Sequence, residues 1–100
     1  MPIIIYILGE PIKKLIFGKK RGESEIIAQI LYSAKNKVKK THLLYSTNIS
    51  YSNFIKYFDF LIKKGFIEEK DGNPGGKVYQ TTQKGEHLLE SINKLIKNLQ

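Results

Sequence analysis

The sequence predicts a mainly α-helical fold with a small β-hairpin, on the basis of three observations. Apolar residues recur at helical spacing in three segments between residues 24 and 64. Two extended segments then flank a glycine-rich loop, which is typical of a hairpin. From residue 82 onward, apolar residues again follow helical spacing. A chain of 100 residues can form one small core, so we expect a single domain.

The composition narrows the possible functions. Lysine and arginine number 17 against 9 acidic residues, giving a net charge of +8 and a pI near 9.7. Polyanions are therefore the first partners to consider, and a membrane surface is the second. The absence of cysteine excludes disulfide scaffolds, thiolate metal sites and cysteine nucleophiles. Since His42 and His87 are the two histidines, we expect no histidine-rich metal or acid–base cluster. We also expect no cofactor.

Residues 1–21 are predicted to be an apolar strand and turn extension with a basic end. Ile3 to Leu8 is rich in β-branched residues, which favours a short strand. We expect no signal peptide, because no basic residue precedes this apolar segment. We expect no bilayer span either, because Gly9-Glu10-Pro11 interrupts it. The strand either packs on its own domain or pairs with a second protomer.

The first helix is predicted over about residues 25–35. Ser24 is placed to cap it, and its apolar residues follow helical spacing: Ile26, Ile27, Ile30, Leu31 and Ala34. After a polar segment, Thr41 is expected to cap a brief second helix with Leu43, Leu44 and Tyr45 facing inward. Asn48 is expected to end that helix, because asparagine tolerates the left-handed conformation.

The third helix is predicted from Tyr51 to Lys64, with Ser50 as its cap and Gly65 after its end. Its apolar stripe comprises Phe54, Phe58, Leu61 and Ile62. Residues 66–70 and 77–81 form the expected hairpin. Thr82 is expected to cap a final helix that runs to about Leu99.

The order of helix, short helix, longer helix, hairpin and helix predicts a winged helix-turn-helix. Only about four residues, Thr47 to Ser50, join the second and third helices. We expect this domain to span residues 22–81, with residues 82–100 as a C-terminal dimerisation helix.

Specific segments also resemble a known family. They are Tyr45-x-x-Asn48-Ile49-Ser50-Tyr51, the Tyr57-Phe58-x-x-Leu61 stripe that ends in Gly65, and Thr82-x-Lys84-Gly85. Across about residues 20–100 the chain resembles archaeal winged-helix DNA-binding proteins, in particular the small dimeric chromatin proteins of the 10a family. The resemblance implies a homodimer joined through its C-terminal helices.

Five residues of the third helix lie opposite its apolar stripe and must face outward: Ser52, Asn53, Lys56, Phe60 and Lys63. A DNA major groove admits such a helix, in which Asn53 can pair with adenine, Lys56 with guanine or phosphate, and Phe60 can contact a thymine methyl. The alternative is a solvated lysine face. Residues 24–64 carry seven lysines against Glu25 and Asp59, which favours the DNA interpretation.

Phosphate contacts are expected around the start of the second helix, at Lys39, Lys40, Thr41 and His42, where free N–H groups favour an anion. His42 is either such a contact or an exposed residue without a role, and Tyr51 either bonds phosphate or is a half-buried ring. In the hairpin, Lys70, Asn73 and Lys77 can reach DNA, although Glu68, Glu69 and Asp71 oppose close approach.

The apolar stripe of the final helix has two possible roles. Its members step by three and four and continue to residue 99: Leu88, Leu89, Ile92, Leu95, Ile96 and Leu99. They either close the core of their own domain or form a two-helix seam with a second copy. We favour the seam and therefore a homodimer.

The sequence thus predicts a non-enzymatic, homodimeric protein that binds double-stranded DNA, either as a transcription regulator or as a chromatin protein in the cytoplasm, associated with the nucleoid. A module that binds proteins through Phe60 and the N-terminal strand is the alternative. We find no phosphate-binding glycine loop, paired carboxylates or histidine-activated nucleophile. No small-molecule effector and no membrane partner is expected.

Overall fold

A computed structural model describes residues 6–7, 10–11, 22–72 and 75–98 of the chain. In order, the elements are β1 (Tyr6–Ile7), β2 (Glu10–Pro11), α1 (Glu23–Ser33), α2 (Lys40–Thr47), α3 (Tyr51–Lys63), β3 (Ile67–Gly72), β4 (Gly76–Thr81) and α4 (Gln83–Asn98). The described part therefore contains four helices and a two-stranded hairpin, which confirms the predicted fold class.

The N-terminal strand prediction is tested at two of its residues. Tyr6 and Ile7 form β1, and its antiparallel partner is β2 of the same chain, with Tyr6 opposite Pro11. The backbone of β1 lies beside α4. The remaining residues of the predicted strand, 3–5 and 8, lie outside the described part.

Two helix starts differ from the prediction. Helix α1 begins at Glu23, and its N-cap is Gly22 rather than Ser24. Helix α2 begins at Lys40, and its N-cap is Lys39, so Thr41 lies inside the helix and does not cap it. Neither N-cap provides a side-chain hydrogen bond. Both helix starts therefore depend on contacts made elsewhere in the fold rather than on local capping chemistry.

The turn between α2 and α3 forms as predicted. Asn48 adopts the left-handed conformation, with φ 55° and ψ 39°, and ends α2. The Ser50 hydroxyl accepts a hydrogen bond from the Asn53 backbone N–H and caps α3. Gly65 has φ +79°, the left-handed conformation expected after the end of α3.

The hairpin of β3 and β4, called the wing below, is tied to the helices by its second strand. Ile67 lies opposite Thr81, and Gly72 opposite Gly76. Val38 and Tyr79 exchange backbone hydrogen bonds of 3.1 and 2.8 Å, which form an isolated antiparallel bridge beside β4. The Thr81 hydroxyl donates to the Leu31 carbonyl at 2.7 Å. These bonds fix the wing against the end of α1.

The core lies between the four helices and the wing. Its buried apolar residues are Ile26, Ala28, Ile30, Leu31, Ala34, Leu43, Phe54, Phe58, Leu61, Ile67, Tyr79, Leu89, Ile92 and Ile96. The ring centroid of Phe58 lies 5.5 Å from that of Phe54 and 4.9 Å from that of Tyr79, so aromatic contacts join α3 to the wing.

Helix α4 begins as predicted and packs closely on the chain that precedes it. The Thr82 hydroxyl accepts a hydrogen bond from the Gly85 N–H at 3.1 Å. A Cβ at Gly85 would collide with the Phe66 carbonyl oxygen, so this position requires glycine. The helix ends at Asn98, and Leu99 lies outside the described residues.

Candidate nucleic-acid interface

The helices α2 and α3 form a rigid two-helix unit supported by α1. The Gln29 side-chain amide donates to the Ser46 carbonyl at 2.6 Å, which anchors the C-terminal end of α2 to α1. Leu43 is fully buried beneath α2, and Phe54 is fully buried beneath α3. The outer surfaces of both helices are therefore held in a fixed relation to each other.

The outer face of α3 carries the residues that the sequence placed there. Ser52, Asn53, Lys56, Phe60 and Lys63 are all exposed, as is Tyr51 at the first position of the helix. Asn53 lies in the first turn, where helices of this class contact base edges. The Phe60 ring lies 6.1 Å from the Phe66 ring, beside the wing. Phe60 is about 10 Å farther along the helix than Asn53.

The lysines of the helices and those of the wing differ in whether they form ion pairs. In the wing, the Lys77 ammonium lies 3.4 Å from a Glu69 carboxylate oxygen, and the Lys70 ammonium lies 3.8 Å from Glu68. Among the described residues, none of the seven lysines between residues 24 and 64 forms an ion pair. The helical lysines thus remain available to an anionic partner, and those of the wing are partly neutralised.

Two lysines at the start of α2 extend toward α3 and the wing. The Lys40 ammonium lies 5.0 Å from the centroid of the Phe58 ring and 5.8 Å from that of Tyr51. These cation–π contacts hold its charge at the junction of α2 and α3. The end of the Lys39 side chain lies next to Gly75 at the tip of the wing. Positive charge therefore continues from the start of α2 to the wing.

Three of the remaining predicted contacts are exposed. Thr41 and His42 are exposed on the first turn of α2. Lys77 is exposed on the wing, and Asn73 lies outside the described residues.

Burial, and to a lesser extent the nearby Glu23 carboxylate, raise the pKa of Tyr57 above its ordinary value of 10.0. Tyr57 therefore stays neutral at physiological pH.

The prediction that Tyr45 of the second helix faces inward is wrong, and Tyr45 belongs to the exposed surface of that helix. It was expected to face inward, but 77% of it is exposed, whereas Leu43 is fully buried and Leu44 is half-buried. Two helical positions correspond to a rotation of about 200°, so a residue two positions after the buried Leu43 must face away from the core. This spacing would have identified Tyr45. Lys35, Lys37 and Lys64 are also exposed and were not among the predicted contacts.

The predicted seam of α4 is divided between two environments. Leu89, Ile92 and Ile96 are 6%, 7% and 1% exposed and belong to the core of their own chain. This burial within the chain differs from the expected seam, in which these side chains would face a second copy. Leu88 is half-buried against the same core, and Leu95 is 52% exposed. Among the described residues of the predicted seam, Leu95 is therefore the one whose side chain is clearly exposed.

Other kinds of site receive no support in the described part of the chain. There is no group of three or more His, Asp or Glu side chains there that could hold a metal ion. None of the helices in that part is long and apolar enough to cross a membrane.

Comparison with known proteins agrees with this geometry. A family model described as winged helix-turn-helix matches residues 20–100. The chain belongs to this winged helix-turn-helix family. The winged helix is also similar to a solved structure, Sso10a-2, a DNA-binding protein from Sulfolobus solfataricus. That match has a TM-score of 0.68 and 36% identity, and covers 77% of this chain and 80% of the other. It confirms the resemblance to the archaeal 10a proteins.

Two uncharacterized proteins of Methanocaldococcus jannaschii are also similar to this winged helix. MJ0290 is 36% identical over 104 residues, which cover 95% of this chain but 47% of MJ0290. The chain therefore spans about half the length of that relative. MJ0287 is 35% identical over 77 residues, covering 76% of this chain and 74% of MJ0287. Membership of a winged-helix family agrees with the prediction that the protein is not an enzyme.

Proposed function

We propose that this protein binds double-stranded DNA as a homodimer, with α3 in the major groove. The observation that supports this most strongly is the exposed face of α3, which joins a run of lysines that lack ion pairs among the described residues. A winged-helix fold and 36% identity to a DNA-binding protein support the same conclusion.

Base contacts are proposed for the N-terminal half of α3. Ser52 and Asn53 are exposed in its first turn, and Lys56 follows one turn later. An asparagine amide can donate to and accept from adenine at once, and a lysine can reach guanine or a phosphate. Phe60 and Lys63 lie toward the far end of the helix. Phe60 is proposed to contact a thymine methyl there, and Lys63 to contact the DNA backbone.

Phosphate contacts are proposed at the start of α2 and on its neighbours. Lys39, Lys40, Thr41 and His42 surround the N-terminal end of α2, where backbone N–H groups and the helix dipole favour an anion. Tyr51, at the start of α3, is proposed to donate its hydroxyl to the same strand. Asn73 and Lys77 of the wing are proposed to make weaker contacts with phosphate, since Lys77 is paired with Glu69.

The homodimer is proposed to form through the outer side of α4. Leu88 and Leu95 are seven residues apart, so they lie on the same side of this helix. Leu99 continues that side in the sequence. Covering Leu95, which is 52% exposed, would remove apolar surface from water. Leu89, Ile92 and Ile96 would support this seam from beneath.

The same geometry serves a transcription regulator or a chromatin protein, which differ in how strongly one sequence is preferred over others. Fluorescence anisotropy with a random duplex and a panel of defined duplexes measures this preference. We expect binding to every duplex, with an affinity that falls steeply between about 50 and about 200 mM salt. An affinity that does not change with salt would contradict the proposal and favour the protein-binding alternative. A large preference for one duplex would assign the regulator role.

A further inference from the structure

A polar cleft lies outside the face of α3. It is formed by the end of α1, the loop that follows it, the start of α2 and the first turn of α4, and its volume is about 580 Å³. Pockets for small molecules in proteins have volumes of this order. Tyr32 and Ser33 of α1, His42 of α2 and Glu86 of α4 are among the residues that line it. The cleft is therefore large enough for a small molecule and is bordered by three helices.

Ser33 is the unusual residue of this cleft. It is 6% exposed, and its hydroxyl has no hydrogen-bond partner among the described residues. Some other helical hydroxyls bond to a carbonyl three or four residues earlier, as Ser46 does to Leu43 and Ser91 does to His87. A buried hydroxyl without a partner destabilises the folded protein. A bound molecule that pairs with Ser33 would remove that penalty.

The charged residues of the cleft indicate which chemistry it fits. Lys35 supplies a positive charge, and its ammonium lies 5.9 Å from the centroid of the Tyr32 ring. Glu86 supplies a negative charge. Neither Lys35 nor Glu86 forms an ion pair with any other described residue. Two opposite charges in one cleft complement a molecule that itself carries both signs.

We propose that this cleft binds a small zwitterion of the amino-acid class. Lys35 and His42 contact its carboxylate, and the Ser33 hydroxyl, which is shielded from solvent, donates to that carboxylate once its side chain turns toward the cleft. Glu86 accepts hydrogen bonds from its ammonium group. The Tyr32 ring and Val38 provide an apolar surface for the rest of the molecule. The site shares His42 with the proposed phosphate contacts but is separate from the proposed base contacts of α3, so it represents a second binding activity.

The test measures NMR chemical shifts of the backbone amides of the full chain in the absence of DNA. The probes are the standard L-amino acids, together with carboxylic acids and amines of matched structure that lack one of the two charges. We expect saturable shifts at Ser33, Asn36, His42 and Glu86 with at least one amino acid. The matched acid and amine should bind at least about tenfold more weakly, as expected for loss of a charge-assisted contact.

Ser33→Ala is the decisive variant, and Ser91→Ala is its matched control on the exposed side of α4. Ser33→Ala should keep or raise the midpoint of thermal unfolding, because it removes an unpaired hydroxyl, and should weaken amino-acid binding about tenfold. Ser91→Ala should bind as the native chain does. Glu86→Gln, at an exposed position, should weaken amino-acid binding without affecting the matched acid.

Three results would overturn the proposal: no probe shifts these amides, the matched acid binds as tightly as the amino acid, or Ser33→Ala binds as the native chain does. Since DNA is absent from these measurements, they succeed or fail independently of the DNA-binding proposal.

Discussion

The Ser50 hydroxyl accepts a hydrogen bond from the backbone N–H of Asn53 at 3.3 Å, and this bond determines where α3 begins. It satisfies one of the N–H groups that a helix leaves free in its first turn. Because Asn53 is also the residue proposed to contact a base, the cap fixes the backbone from which that side chain extends. Helix stability and the proposed base contact are therefore linked at Asn53.

Ser50→Ala removes this cap and should destabilise the protein by about 1 kcal/mol, as is usual for the loss of a serine N-cap. Unfolding by urea measures the change. Ser50→Gly should cost only a few tenths of a kcal/mol, because glycine is tolerated at this position. Ser91→Ala serves as the control, since its hydroxyl is exposed on α4. Equal stability of Ser50→Ala and the native chain would show that the cap does not hold α3.

Lys39→Gln should reduce the salt dependence of DNA binding. This lysine is exposed and forms no ion pair with another described residue, so each phosphate contact it makes should contribute about one unit to the slope of log affinity against log salt. Lys77→Gln is the matched variant. Its effect should be smaller, because Lys77 is already paired with Glu69. A larger change for Lys77 than for Lys39 would place the main phosphate contact on the wing.

Asn53→Ala should weaken binding to particular duplexes and not to others. A two-bond contact to adenine contributes about 1 to 3 kcal/mol of discrimination, so the preferred duplex should lose most. Anisotropy titrations over a panel that varies one base pair at a time measure this loss. If every duplex loses the same affinity, Asn53 contacts the phosphate backbone instead of a base.

Leu95→Lys should convert the proposed dimer into a folded monomer. Leu95 is 52% exposed within one chain, so lysine is tolerated there, but its charge would be buried without a partner in the seam. Sedimentation velocity should then give a single species near 11.5 kDa, the mass of one chain, and circular dichroism should remain that of the native protein.

Ile92→Lys tests whether Ile92 stabilises the core of its own chain rather than only the proposed dimer seam. Ile92 is 7% exposed and belongs to the core of its own chain, so this variant should lose the folded state rather than only the dimer. A native chain that sediments as a monomer at micromolar concentration would refute the homodimer.

The features that the sequence predicted correctly are those set by local chemistry. Asn48 tolerates a left-handed backbone, Ser50 provides a side-chain acceptor at a helix start, and Gly65 allows a positive φ after a helix end. Each of these conformations requires a particular residue type within a few positions. The glycine-rich loop specified the wing in the same way.

The features that the sequence missed depend on tertiary packing. The N-caps Gly22 and Lys39 make no side-chain hydrogen bond to their helices, so no capping side chain marks those two starts. Periodicity identified the apolar stripe of α4 but not what covers it, and Ile92 and Ile96 proved to be covered by their own chain. The position of the Lys40 ammonium over the Phe58 ring joins two helices and has no local determinant.

NMR titration of the chain with a duplex shows whether α3 is the surface that contacts DNA. We expect the backbone amides of Ser52, Asn53 and Lys56 to shift most, together with those of Lys39 and Lys40 at the start of α2. Amides on the outer side of α4 around Leu95 should not change. Shifts concentrated on α4 or the wing, with α3 unaffected, would contradict this expectation.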